Sequence, residues 1–449
     1  MRSGERSRRN AVALPVQTRI GHRARIGYSL GSLVTGSFTT VPGLLLLPYL
    51  TDTLAVPGAI AGVLVLVPKV WDVVFNPIAG RLSDASLVRR GSRRPFLLGG
   101  GIGVAVLFAA IFAHPGFGST PLDAGYVLVA YLLCATAFGV FQVPFNALPA
   151  ELTDSYGERT RITSWRMGFL SVAVLLSGGG APALAHGVGG VAGYRVMGVA
   201  VGLVILVGVV LMVLGLRGAP VGRLRPGAQT WRELLVTMRR WRSFRTLVLV
   251  YTLQALGLAT LLAGVNYASR YVFGDPGVQT WLFVGFVLPA LVTMPLWPRL
   301  GRRWGKLWGF RAACVAFGIA SLGLSAALVL PLGVSFVFVA LAGVGYAGIQ
   351  VFPLAIMPDL ISAEEERTGE TRAGIAAGVW TGSETLGMAL GPGLFGLVLG
   401  LGGYVSGVDG GVVAQPGSAV IAILLGFSLL PGVLVMLGFP LLRREVLEP

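Results

Sequence analysis

Phe141-Gln142-Val143-Pro144-Phe145-Asn146-Ala147-Leu148-Pro149-Ala150-Glu151-Leu152 and Ile349-Gln350-Val351-Phe352-Pro353-Leu354-Ala355-Ile356-Met357-Pro358-Asp359-Leu360 read as two copies of one segment. The same offset carries Glu158-Arg159-Thr160 onto Glu366-Arg367-Thr368, and Arg90-Gly91-Ser92-Arg93 has a looser counterpart in Arg303-Trp304-Gly305-Lys306. A repeat in the same direction predicts two like bundles with a site between them near mid-membrane. That prediction needs a membrane, and the composition supplies one. Of 449 residues, 54% are hydrophobic and 12% charged, against roughly 25% charged in soluble domains. An exterior with so little charge must face lipid.

Working outward from the repeat, apolar runs long enough to cross a bilayer lie near 26–50, 58–80, 95–113, 122–147, 165–186 and 194–216. A second set lies near 244–269, 279–298, 307–330, 333–357, 374–401 and 418–442. The expected fold is therefore all-α and integral to the membrane, with twelve transmembrane helices in two six-helix halves repeated in parallel. The boundaries are a tail over 1–25, a first bundle over 26–216, a linker over 217–243, a second bundle over 244–442 and a tail over 443–449. Within the linker, Trp231, Leu234, Leu235, Met238 and Trp241 recur at helical spacing against Arg232, Arg239, Arg240 and Arg242. Such spacing predicts an amphipathic helix on the cytoplasmic leaflet.

The net charge of +16 sits in short arginine clusters on alternate connections, so it orients the chain rather than marking a nucleic-acid surface. Arg2–Arg25, Arg89–Arg94, Arg159–Arg161, Arg217–Arg245, Arg299–Lys306, Arg367–Arg372 and Arg443–Arg444 fall on one side. The opposite connections carry no Lys or Arg, apart from Arg270 after the seventh span. Both termini are expected in the cytoplasm, in a multi-pass protein of the cell membrane without a cleavable signal peptide. Cys134 and Cys314, far apart in apolar runs, provide neither a disulfide framework nor a thiolate metal site. Scattered histidines and the lack of a P-loop argue against an enzyme or an ATP-driven pump, and the repeat favours alternating access over a channel.

Charges inside the hydrocarbon face a cavity or a partner. Lys69 and Asp72 lie three apart on the second span, on one helix face. Asp72 is then a cation- or proton-binding carboxylate, a structural partner of Lys69, or both. Glu384 in the eleventh span is open to a functional or a structural role. Gln142, Asn146 and Arg166 are candidates for the pore lining, with Gln350 at the position that repeats Gln142. Asp84, ahead of the basic turn ending Arg93-Arg94, reads as a cytoplasmic latch between the halves or as simple topogenic charge. Phe38, Phe75, Phe141, Phe145 and Trp380 are expected near the cavity, which keeps open an exporter of amphipathic or drug-like compounds, or a lysolipid carrier.

Tyr28 through Asp52, Trp71-Asp72 with Asn76-Pro77, Ser83-Asp84 through Arg94-Pro95, Val143-Pro144-Phe145, Glu158-Arg159-Thr160 with Arg166, and Met357-Pro358-Asp359 with Gly403-Tyr404 resemble the glycoside–pentoside–hexuronide:cation symporters. These form the melibiose-permease-type branch of the major facilitator superfamily. The resemblance implies cation-coupled movement of a sugar-like solute, with the second span holding the cation between two carboxylates. Here the first is Asp72, while Asn76 stands at the second, and a neighbouring hydroxyl position on the fourth span is Gly139. The family's galactoside-binding acids correspond to Gly36 and Gln142, and a lysine common in its eleventh span to Thr385, beside Glu384. A proton is therefore expected over sodium as the coupling ion, with no further cofactor, no resident metal, no catalytic residue and a monomeric state.

Overall fold

In lipid, backbone amides have no water to bond, so apolar spans must satisfy them internally as helices. The computed structural model describes residues 20–90, 92–153, 155–219, 241–369, 373–408 and 413–443. The expected amphipathic helix of the linker, apart from Trp241, lies outside the described residues.

The first half contains α1 (His22–Leu46), α2 (Gly58–Arg90), α3 (Arg94–Phe112), α4 (Thr120–Leu152), α5 (Tyr156–Val188) and α6 (Gly190–Gly215). The second contains α7 (Arg242–Tyr267), α8 (Val278–Thr293 with Trp297–Trp304), α9 (Lys306–Leu324), α10 (Leu332–Thr368), α11 (Ala373–Leu401) and α12 (Gly417–Leu441). Eleven of these are long and apolar enough to span; the twelfth, α8, is two helices meeting at 49°. Pro298 at the start of its second piece explains the break, because a ring at the first turn cannot extend the preceding helix. The twelve-helix, two-half architecture is the one read from the repeat.

Outward faces are apolar where lipid lies, with Leu203, Val292 and Leu322 all more than half exposed. At the opposite extreme, α5 begins with a cap: the Ser155 hydroxyl accepts from the Glu158 amide at 3.4 Å. Glu158 also receives Arg25 at 3.3 Å, fastening the start of α1 to α5.

The halves meet at the end of the bundle remote from the chain termini. There α2 and α11 run backbone against backbone: a methyl group added at Gly62 would lie 3.0 Å from the Gly393 carbonyl oxygen, and one at Gly396 2.7 Å from that of Gly58. There α1 ends in a π-helical turn, Pro42–Leu46, and is followed by another, Tyr49–Thr53, while α7 is followed by Ala268–Val272. Between described residues, every hydrogen bond and ion pair joining the two halves lies at this end.

Candidate functional site

The first group of polar side chains sits on α2 and α4. Asp72 is 7% exposed, and its Oδ1 is buried without a hydrogen-bond partner. One turn on, Asn76 Oδ1 is buried and unpartnered as well. Gly139 faces both: an atom at its Cβ position would lie 3.1 Å from Asn76 Oδ1 and 3.6 Å from Asp72 Oδ1. Two bare oxygens thus converge on a space that a larger residue on α4 would fill. Leaving buried acceptors unmade is costly unless something positive serves them. Lys69, three residues before Asp72 on the same helix, interacts with it electrostatically. Its ammonium, however, stands 4.9 Å above the ring of Phe38, and no contact ion pair among the described residues includes Asp72.

A second group joins α1, α4 and α5. Arg166 donates from Nη2 to Asn146 Oδ1 at 2.8 Å and from Nη1 to the Tyr28 hydroxyl at 3.2 Å, with its guanidinium 4.8 Å from the Phe145 ring. Gln142 reaches the same Asn146 oxygen at 3.4 Å. Asn146 is exposed and Arg166 half-buried, so this cluster presents amide and guanidinium groups at an accessible surface of the first half.

The third group belongs to the second half. Gln350 donates to the Tyr346 hydroxyl at 3.0 Å. Glu384 is half-buried beside the Tyr251 hydroxyl. Thr385 bonds back to the Thr381 carbonyl at 2.9 Å, as a helix-face threonine does. Trp380 is only 5% exposed, its ring stacked on Tyr251 at 4.0 Å. It holds Tyr251 in place instead of offering an open face to a ligand. Phe38, Phe141 and Phe145 are likewise wholly packed between helices rather than lining an opening.

The matching family model, described as MFS/sugar transport protein, covers residues 27–447.

The chain belongs to this family.

Among its relatives are a putative glycoside/cation symporter of Escherichia coli, 26% identical over 93% of this chain and 90% of that one, and an uncharacterized symporter of Bacillus subtilis, 26% identical over 88% and 86%. A glucuronide carrier protein homolog of Escherichia coli is 24% identical over 93% and 91%. The solved D-xylose-proton symporter shares the fold, with a TM-score of 0.68 at 14% identity over 94% of this chain and 97% of that one.

In this MFS/sugar transport protein, Arg93 gathers three oxygens: Asp84 Oδ1 at 2.6 Å, Glu151 Oε1 at 2.8 Å and the Ser83 hydroxyl at 3.0 Å. Asp84 and Arg93 are thus brought together, but every member of the cluster lies in the first half. Arg94 is not among them. It donates to the Leu216 and Ala219 carbonyls, closing the C-terminal end of α6.

The densest polar junction was not among the candidate site residues read from sequence. Arg270 and Asp52 form an ion pair at 3.1 Å with side chains 5% and 1% exposed. The Tyr404 hydroxyl donates to Asp52 Oδ1 at 2.6 Å, Thr51 bonds the same oxygen at 2.8 Å, and Thr51 meets the Tyr267 hydroxyl at 2.7 Å. Beside it, His186 and Asn266 converge on Gln279 Oε1, each at 2.7 Å. The sequence did carry one signal: Arg270 is the single basic residue in outer connections that otherwise lack Lys and Arg.

Proposed function

We propose that the protein is a cation-coupled carrier of a sugar or glycoside, working by alternating access between its two halves in the cell membrane. Basic loops on the termini side support a cytoplasmic location for both ends, which puts the polar contacts between the halves on the outer face. Asp72 carries the reading: a buried carboxylate with a bare oxygen, turned toward Asn76 and Gly139 and flanked by Lys69. A proton is the preferred coupling ion, because Asn76 and Gly139 leave one carboxylate at this place. Gln142, Asn146, Arg166, Gln350 and Glu384 offer amide, guanidinium and carboxylate groups suited to sugar hydroxyls, and the relatives named for glycoside and glucuronide transport support that substrate class.

The exporter and lysolipid alternatives drew on an aromatic lining. With Phe38, Phe141, Phe145 and Trp380 buried in packing, the hydroxyl-binding reading is preferred. The test is a panel of sugars and glycosides with purified protein in liposomes under an imposed proton gradient. Asp72→Asn should lose accumulation against a gradient and keep exchange of internal for external solute. Unchanged accumulation would remove Asp72 from coupling.

A further inference from the structure

The bare oxygens of Asp72 and Asn76 call for a positive charge, and the chain already owns one within a single helical turn. Lys69 is one of only two lysines in the protein. Its ammonium has the Phe38 ring beneath it at 4.9 Å. That ring is fixed by Phe138, stacked at 4.1 Å, and by Tyr131 at 6.2 Å. Cys134 and Asp72 are the charged or titratable groups acting on it. The ammonium is thereby held in an aromatic niche where Asp72 acts on it electrostatically, without engaging any ion pair among the described residues.

We infer that the ammonium of Lys69 is the resident counter-cation of the Asp72–Asn76 pair, a tethered ion that excludes sodium and other alkali-metal ions from this place. This inference rests on the reading of Asp72 as the coupling carboxylate and adds the ion selectivity of that site. Three observations carry it. The oxygens supply one formal negative charge, which one ammonium already balances. A second cation would stand close to Lys69 in a medium of low dielectric, where like charges repel far more strongly than in water. Finally, Asp72 and Asn76 bring at most three side-chain oxygens, with glycine where α4 could have added another, whereas a bare sodium ion needs a fuller oxygen shell to replace its water. An ammonium resting over an aromatic face makes do with fewer oxygens. Sodium does not fit these residues while Lys69 is present.

Equilibrium binding of radiolabelled sodium, with choline replacing it at constant ionic strength, tests this on the purified full-length protein. Wild type should show no saturable binding. Lys69→Met should acquire it, and Lys69→Met with Asn76→Asp should bind about tenfold tighter than the single variant; adding Asp72→Asn should abolish it. Saturable sodium binding by wild type overturns the inference, as does its absence from a double variant whose elution profile and melting temperature match wild type. Lys69→Gln serves where Lys69→Met does not fold. Should neither fold, the wild-type measurement alone decides. Loss of accumulation in Asp72→Asn beside a sodium-blind, folded Lys69→Met would keep the coupling role of Asp72 and remove that of Lys69.

Discussion

Asp52 and Arg270 stand 218 residues apart in sequence and meet at 3.1 Å, one from each half, with almost no access to solvent. Removing one partner of a buried pair leaves an uncompensated charge and costs about 3–5 kcal/mol. Here that cost falls on the closed outer face, so either single substitution should favour its opening. Leu54 and Val408 form an antiparallel bridge beside the pair, close enough for a disulfide. In Leu54→Cys/Val408→Cys, oxidative cross-linking should be efficient, and Arg270→Ala in that background should reduce its yield severalfold. Both native cysteines are buried, which keeps the background low. Equal yields would deny the pair a role in closure.

The α2–α11 seam makes a separate prediction. A methyl group added at Gly62 would stand 3.0 Å from the Gly393 carbonyl oxygen and 3.2 Å from the Gly396 Cα, and a larger side chain has no room. Gly62→Val should force the helices apart and lower the same cross-linking yield. Substitution of Gly99, where a methyl group meets nothing within 4 Å, should leave it unchanged.

Arg93 is predicted to matter for stability within its own half. Its loss would strand Glu151, whose side chain is 4% exposed. Arg93→Ala should therefore lower the melting temperature clearly, and Arg93→Ala/Glu151→Gln should recover part of the loss. Arg94→Ala removes bonds to two carbonyls at the end of α6 and should cost only about 1 kcal/mol per bond. Thermal denaturation in detergent compares all three. A larger effect at Arg94 would contradict the geometry.

Arg166 tests substrate recognition. Arg166→Lys retains the charge but gives up the forked hold on Asn146 and Tyr28. For the solute identified in liposomes, KM should rise about tenfold with little change in kcat. A drop in kcat at constant KM would move Arg166 from recognition to the conformational step.

The repeat of Gln142 and Gln350, with hydropathy and arginine placement, made the fold readable before any coordinates. The Asp72, Asn76 and Gly139 grouping was readable too, because Asp72 and Asn76 share a helix and the family resemblance pointed to Gly139 on α4. Other parts depend on rotations that no single span encodes. Trp380 lies in an apolar span like any cavity-facing residue, and only the turn of α11 against α7 puts it on Tyr251. Arg94 and Arg93 are adjacent, yet at the start of α3 they point to different neighbours, one to α6 and the other to α2 and α4. The Asp52–Arg270 pair was hardest to see, since its partners come from different halves and neither marks the other by spacing.

The bare-backbone contact of Gly58 and Gly62 with Gly393 and Gly396 has a mechanical consequence. In hydrocarbon no water is expelled when two helices touch, so adhesion there comes from fit and dispersion alone. A joint closed largely by backbone, with Leu66 and Leu399 as the side chains packed across it, has few rotamers to disentangle as it parts. It can act like a zip, separating and reseating over many turnovers, while the few polar teeth beside it set the position in which it rests.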